Sequence, residues 1–175
     1  LSRGNAVFIS QHLGDLETPQ AFEAFRHEAG RLQELFDGRP EAVVSDLHPD
    51  YLSSGYARSR PEPVVTVQHH VAHVAACMAE NGLTAPVLGI AWDGTGLGTD
   101  GTVWGGEWFA ADDNGFRRIA HLRTFPLPGG DRAAREPRRS ALGLLYAVYG
   151  ERAFELDDLA PVRCWSASQR TGLRQ

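Results

Sequence analysis

The stretch VVTVQHHVAHVAACMAENG, Val64 to Gly82, reads as a strand that passes directly into a helix. Val64 to Gln68 is a β-branched run, His69 to Asn81 carries helical periodicity, and Gly82 closes the helix. The same order precedes it. Glu41 to Leu47 is a short apolar run of the kind that forms a buried strand, and it ends in the polar string Asp46-Leu47-His48-Pro49-Asp50-Tyr51. A short helical piece, Leu52 to Arg58, and the breaker Arg60-Pro61-Glu62-Pro63 link the two strands. Further upstream Ala6 to Ile9 is β-prone. Thr18-Pro19 then supplies an N-cap with proline at the first helical position, and Phe22, Phe25, Ala29, Leu32 and Phe36 mark one buried face before Gly38 and Pro40 stop the helix. Alternating strands and helices build a parallel sheet with helices on its faces, so the fold class is α/β. Ligands in such sheets collect at the carboxyl ends of strands, where the His48/Asp50 and His69/His73 groups both fall.

Downstream the pattern changes. Val87 to Trp92, Thr102 to Ala110 and Phe116 to Phe125 read as strands of an antiparallel meander, with a turn at Asp112 to Gly115. After the loop Pro126 to Gly130, a helix is expected from about Asp131 to Tyr149, with Ala141, Leu144, Leu145 and Val148 on its apolar face. Pro137 either kinks that helix or marks its true first turn.

The chain has 175 residues, a formal net charge of −5 and 42% hydrophobic residues, near the globular average. All 17 basic residues are Arg and none is Lys, which removes a Walker-A lysine, a kinase strand lysine and a Schiff base. The acidic balance argues against nucleic acid as a partner, and no apolar run approaches the ~20 residues that cross a bilayer. Cys77 and Cys164 lie far apart with no CxxC pair, so a reducing, cytoplasmic setting is expected. The chain opens at Leu1 in a strand-like segment and reads as a piece of a longer protein.

His69 and His73, at i and i+4, lie on one helix face one turn apart, where two imidazoles can share a metal ion. Such pairs also occur as hydrogen-bonded or solvated surface groups. HExxH metalloprotease chemistry is not indicated, because His70 stands where the Glu would be. The string Asp93-Gly94-Thr95-Gly96-Leu97-Gly98-Thr99-Asp100-Gly101 follows a buried strand, and its glycines allow amides to turn onto a phosphate while Asp93 reaches a metal or polar ligand. The alternative reading is a plain glycine-rich hairpin. Its GxGxxG match is followed by a strand, not a helix, which breaks the dinucleotide fingerprint. Gly129-Gly130-Asp131 leads into a helix carrying Arg132, Arg135, Arg138 and Arg139, either an anion site or a solvated basic face. His48 and Asp50 are possible acid/base groups, though an Asp before Tyr51 also suits a helix cap. Cys77 reads as a small core residue.

Taken together, DLHPDYLSSGYA (Asp46 to Ala57), VQHHVAH (Val67 to His73), CMAENGL (Cys77 to Leu83), DGTGLGTDGTVWGGEWF (Asp93 to Phe109) and FPLPGGDRAAREPRRSAL (Phe125 to Leu142) resemble the HypF carbamoyltransferases of NiFe-hydrogenase maturation. The resemblance runs from about Phe8 to Tyr149 and assigns nothing specific beyond Leu159. It implies a carbamoyl-transfer domain related to the tRNA threonylcarbamoyl transferases. Such a domain has an actin-like, sugar-kinase and Hsp70-type fold of two ribonuclease-H-like lobes, present here as a fragment. Residues 1–82 would then end the first lobe and residues 83–175 begin the second.

The resemblance also implies chemistry. ATP and carbamoyl phosphate form carbamoyl adenylate in an upstream adenylating domain, and the carbamoyl group passes to the C-terminal cysteine thiol of HypE. His69, His73 and Asp93 would hold a divalent metal, zinc or iron. Asp93, Gly94, Gly96, Gly98 and Gly101, with Gly129 and Gly130, would face the nucleotide. Apart from the resemblance, the residues themselves suggest Arg132 and Arg135 as groups that stabilise the leaving phosphate and His48 as a candidate base for the incoming thiol. The family commonly has a further His where this chain has Val71; at i+2 from His69 it points off the metal face. The family's first phosphate loop would precede Leu1, and a later nucleotide segment and a distal metal-binding Asp would follow Gln175, so the chain alone is expected to be catalytically incomplete. An O-carbamoyltransferase acting on a small-molecule hydroxyl, and a non-catalytic metal- or nucleotide-binding module, are the alternatives.

Overall fold

The computed structural model describes residues 1–174. Ser2–Arg3 (β1) and Ala6–Val7 (β2) pair as a small antiparallel hairpin, turned at Gly4 with φ of 57°. The β-prone run at Ala6 to Ile9 is thus spent on a local reversal and does not extend the parallel sheet. Phe8 instead stacks on Phe36, with ring centroids 3.7 Å apart. Helix α1 (Pro19–Leu35) begins as its sequence dictates: Pro19 opens it, and Thr18 Oγ1 accepts from the Ala21 amide at 3.2 Å. Phe22, Phe25, Ala29, Leu32 and Phe36 share a face, yet each is only half-buried.

Val43–Asp46 (β3), helix α2 (Leu52–Arg58) and Val64–Val67 (β4) follow, with β3 and β4 parallel. Val43 faces Val64 and Asp46 faces Val67, so both strands stop at the same level. This register decides the site, because it brings Asp46 beside the first turn of helix α3 (His69–Glu80). Gln68 caps α3, its side chain accepting from the Val71 amide, and Gly82 with φ of 61° lies just past Asn81. The expectation of fully buried strands fails here, since Val44 is 65% exposed and the sheet has two strands.

Helix α3 packs on β5 (Val87–Ala91) through Val74, and a Cβ on Gly89 would lie 2.3 Å from Val74 Cγ1. Gly96–Leu97 (β6) and Val103–Trp104 (β7) form a separate hairpin. Glu107–Asp112 (β8) and Gly115–His121 (β9) complete an antiparallel sheet in the order β5-β8-β9, with a bulge between Trp108 and Phe109. The single strand expected over Thr102 to Ala110 is therefore two. The break falls at Gly105-Gly106: a Cβ at 105 would sit 2.6 Å from the Gly94 carbonyl oxygen, and Gly106 has φ of 73°. Val74, Ala91, Trp104 and Phe109 form the core beneath, with Val71 and Met78 against it.

The arginine-rich segment folds as two helices, α4 (Asp131–Arg135) and α5 (Pro137–Tyr149), so Pro137 is a first-turn residue and not a kink. The expected apolar face of α5 is rotated. Leu144 and Val148 are 51% and 61% exposed, whereas Leu142 and Gly143 are buried. The reason lies downstream: a 3-10 turn at Gly150–Glu155 and helices α6 (Ala160–Arg163) and α7 (Ala167–Leu173) cover that side, joining Leu142, Phe154, Val162 and Trp165 in a second core. No helix among the described residues is long and apolar enough to cross a membrane.

Candidate functional site

Three strand ends supply the site. Asp46 closes β3, His69 opens α3 directly after β4, and Asp93 lies two residues past β5. His69 and His73 lie one turn apart with their rings edge to face and their Nε2 atoms 3.2 Å apart, and His69 Nε2 lies 3.3 Å from Asp93 Oδ2. One ligand atom from each of His69, His73 and Asp93 falls within 4.8 Å of the others. Behind them Asp46 Oδ2 sits 2.7 Å from His69 Nδ1, and Asp46 Oδ1 accepts from the His48 amide at 2.8 Å. A carboxylate on Nδ1 fixes that proton, so His69 presents the lone pair of Nε2 toward His73 and Asp93.

These residues fit a divalent metal. Both Asp93 carboxylate oxygens are buried without a hydrogen-bond partner, an arrangement whose desolvation a bound cation would offset. Two imidazoles and a carboxylate match zinc or iron(II) and leave coordination positions open. His70, fully buried, faces the same carboxylate, its Nε2 lying 3.2 Å from Asp93 Oδ2. Burial lowers its pKa, against the opposing fields of Asp93 and Glu107.

The glycine string divides into two kinds of position. At Gly96 a Cβ would meet His70 Cε1 at 2.7 Å and His69 Cβ at 2.8 Å, and at Gly98 it would strike Trp104 Nε1 at 2.0 Å. Gly96 lets the β6–β7 hairpin close over α3, and Gly98 makes room for the Trp104 indole within the hairpin. Gly94 and Gly101, the latter with φ of 77°, have open space around their α-carbons. Asp100 Oδ1 fixes the turn, accepting from the Thr102 amide and hydroxyl and from Trp104 Nε1.

His48 stacks on Tyr51, with centroids 4.3 Å apart and planes 8° from parallel. Its Nδ1 accepts from the Asp50 amide at 3.3 Å, so a neutral His48 carries its proton on Nε2 and has no free lone pair for a thiol proton. The expected base is thus arranged as a donor. Asp50 does not cap α2, whose N-cap is Tyr51 without a side-chain bond. Burial, then Asp46 and Asp131, push the Tyr51 phenol up, which puts the acidic residue after Gly129-Gly130 within the field of this aromatic pair.

Both expected phosphate-binding arginines hold carboxylates on the surface. Arg132 binds Glu136 and Arg135 binds Glu17. Hydrogen bonds from Arg138, Arg132 and Arg139 bring the Glu136 carboxyl down to about 2. Cys77 is exposed, correcting the core reading, and lines a groove of about 310 Å³ that opens from His73 and Asp93.

Sequence reasoning missed four contributors. Asp46 carried no signal of its own, since only the parallel register of β3 and β4 puts it beside His69. His70 and its partner Gln68 gave only their adjacency to His69. The buried Glu107, which accepts from Arg118 NH2 at 3.0 Å and from the Gly105 amide, was marked only by a carboxylate in an apolar strand.

Residues 1–80 match the profile of the HypF Kae1-like domain, and residues 89–173 match that of the carbamoyltransferase Kae1-like domain, second subdomain. The carbamoyltransferase HypF of Synechocystis is 46% identical over 160 residues, covering 91% of this chain and 21% of that protein. A crystal structure of full-length HypF in the phosphate- and nucleotide-bound form superposes with a TM-score of 0.84 at 43% identity, over 96% of this chain and 22% of that one. The crystal structure of HypF from T. kodakarensis gives a TM-score of 0.71 at 37% identity, over 80% of this chain and 19% of that one. The chain spans about a fifth of the length of these relatives. The α/β fold expected from the sequence stands on these matches to Kae1-like domains and to HypF.

Proposed function

Since the chain belongs to the HypF family of Kae1-like carbamoyltransferase domains, we propose that it houses the carbamoyl-transfer centre, and that His69, His73 and Asp93 hold its divalent metal. The single observation that carries this reading is the Asp93 carboxylate, buried without a partner and 3.3 Å from His69 Nε2. On this reading residues 1–82 end one lobe and residues 83–175 begin the next. The substrate is carbamoyl adenylate, made from carbamoyl phosphate and ATP by an upstream domain, and the acceptor is the C-terminal cysteine thiol of HypE.

Held by His69, His73 and Asp93, zinc or iron(II) would supply Lewis acidity toward an oxygen of the acyl group. The chain's own residues orient the reaction. Asp46 holds His69 in one tautomer, and the α3 backbone sets His73 one turn on. The Gly94 and Gly101 ends of the turn, where space is open, present backbone to the phosphate, while Gly96 and Gly98 seat the hairpin. His48, as an Nε2–H donor beside Tyr51, suits hydrogen bonding to the adenylate or its leaving group better than deprotonation of the thiol. Arg132 and Arg135 are paired with Glu136 and Glu17, carboxylates that compete with a leaving phosphate for their guanidinium groups. The relative crystallised with phosphate and nucleotide supports an anion-binding role for the fold.

The test supplies the chain, as part of a full-length HypF into which it is spliced, with ATP, carbamoyl phosphate and HypE. Mass spectrometry of the HypE C-terminal peptide reads carbamoylation. The reading predicts carbamoyl-HypE with the native sequence and none with Asp93→Ala. Equal product from both would sink it.

A further inference from the structure

Three histidines open α3, and the metal reading employs two of them. The third, His70, is 0% exposed, and its Nε2 has no hydrogen-bond partner. Its protonation pattern follows from its neighbour. Gln68 Oε1 accepts from the Val71 amide at 3.0 Å, which fixes the orientation of the carboxamide. Gln68 Nε2 therefore faces the Leu97 carbonyl at 3.2 Å and His70 Nδ1 at 2.9 Å. An amide nitrogen only donates, so His70 Nδ1 offers its lone pair and the neutral ring carries its proton on Nε2. That proton lies beside Asp93 Oδ2, at 3.2 Å from Nε2 and off the hydrogen-bond line. A ring nitrogen that keeps its proton is no metal ligand. The glycine at 96 belongs to the same device, since a Cβ there would lie 2.9 Å from His70 Nδ1.

We propose that His70 is a positioning residue: locked by Gln68 as the Nε2–H tautomer, it donates to Asp93 and aims that carboxylate at His69 and His73. The proposal deepens the metal reading and rests on it. It also separates the roles of chemically identical neighbours, with two imidazoles as ligands and one as a hydrogen-bond donor, distinguished by what binds each Nδ1. Asp46 accepts the Nδ1 proton of His69 and frees its Nε2; Gln68 donates to Nδ1 of His70 and protonates its Nε2.

Nitrogen-15 NMR of the histidine rings tests this in the metal-free chain and again with cobalt(II) or zinc(II). The expected result is an Nε2–H tautomer for His70 that persists when metal is added, while the Nε2 signals of His69 and His73 respond as ligands. Gln68→Glu, which replaces the donor with an acceptor, should move the proton to Nδ1 and weaken zinc binding about 10- to 100-fold, the range for loss of an outer-shell partner. His70→Phe should weaken zinc binding to the same extent, and His70→Gln, which retains an N–H donor, should recover part of it. An Nδ1–H tautomer in the wild-type chain overturns the proposal, as does loss of the His70 proton on metal addition, or wild-type zinc affinity in His70→Phe. A wild-type chain that binds no metal, with His70 still Nε2–H, instead overturns the metal reading beneath it.

Discussion

Asp46 shows how one residue's position follows from another strand's sequence. Its carboxylate serves two partners, the His48 amide through Oδ1 and His69 Nδ1 through Oδ2. Asp46→Asn keeps an oxygen for the amide but removes the negative charge behind the imidazole. We expect it to lower zinc affinity about 10- to 100-fold with an unchanged circular-dichroism spectrum, measured by competition with a metal indicator. An affinity equal to wild type would show that His69 needs no such support. The histidine pair itself was readable from i, i+4 spacing, and Asp93 from its place after a strand. Asp46 was not, because its role exists only once β3 and β4 pair in register. For His48, residue type and strand-end position are visible in sequence, while the amide that occupies its Nδ1 is not. Gly96 and Gly98 likewise look the same as Gly94 and Gly101 in sequence, and differ only in which side chains pack over them.

Elements whose signals are local were the legible ones. The Thr18-Pro19 start of α1, the Gln68 to Gly82 limits of α3 and the turn between β8 and β9 all come from nearest neighbours. The errors arose where a distant segment decides. The WGGEWF stretch breaks into β7 and β8 because the Gly94 backbone presses on Gly105, and α5 turns a different face inward because the C-terminal helices cover it. Residues beyond Leu159, which carried no recognisable motif, supply Val162 and Trp165 to that core, at 0% and 4% exposure. Trp165→Ala should therefore cost about 3–5 kcal/mol, the usual range for an aromatic removed from a packed core, read as a lower urea midpoint. A change below about 1 kcal/mol would show that these helices are an appendage and not part of the folded unit.

At the scale of the whole molecule, the chain has apolar faces without cover. Leu88 and Ile90 on β5 and Val44 on β3 are all more than half exposed, and a groove of about 1060 Å³ runs between α1 and β3. Surfaces of this kind bind hydrophobic dyes. The folded chain should enhance ANS fluorescence, and Leu88→Asp combined with Ile90→Asp should reduce that signal without lowering the urea midpoint; an unchanged signal would place the dye elsewhere. The site lies at the level where β3, β4 and β5 end, and Leu88 and Ile90 line the groove that opens from His73 and Asp93. Whether His69, His73 and Asp93 form one metal centre is decided by the zinc content and zinc affinity of the purified chain beside His69→Ala/His73→Ala, with circular dichroism on both. One zinc per wild-type chain and none in a folded double variant are expected. Equal zinc binding by both, or a folded wild-type chain that binds none, would contradict such a centre.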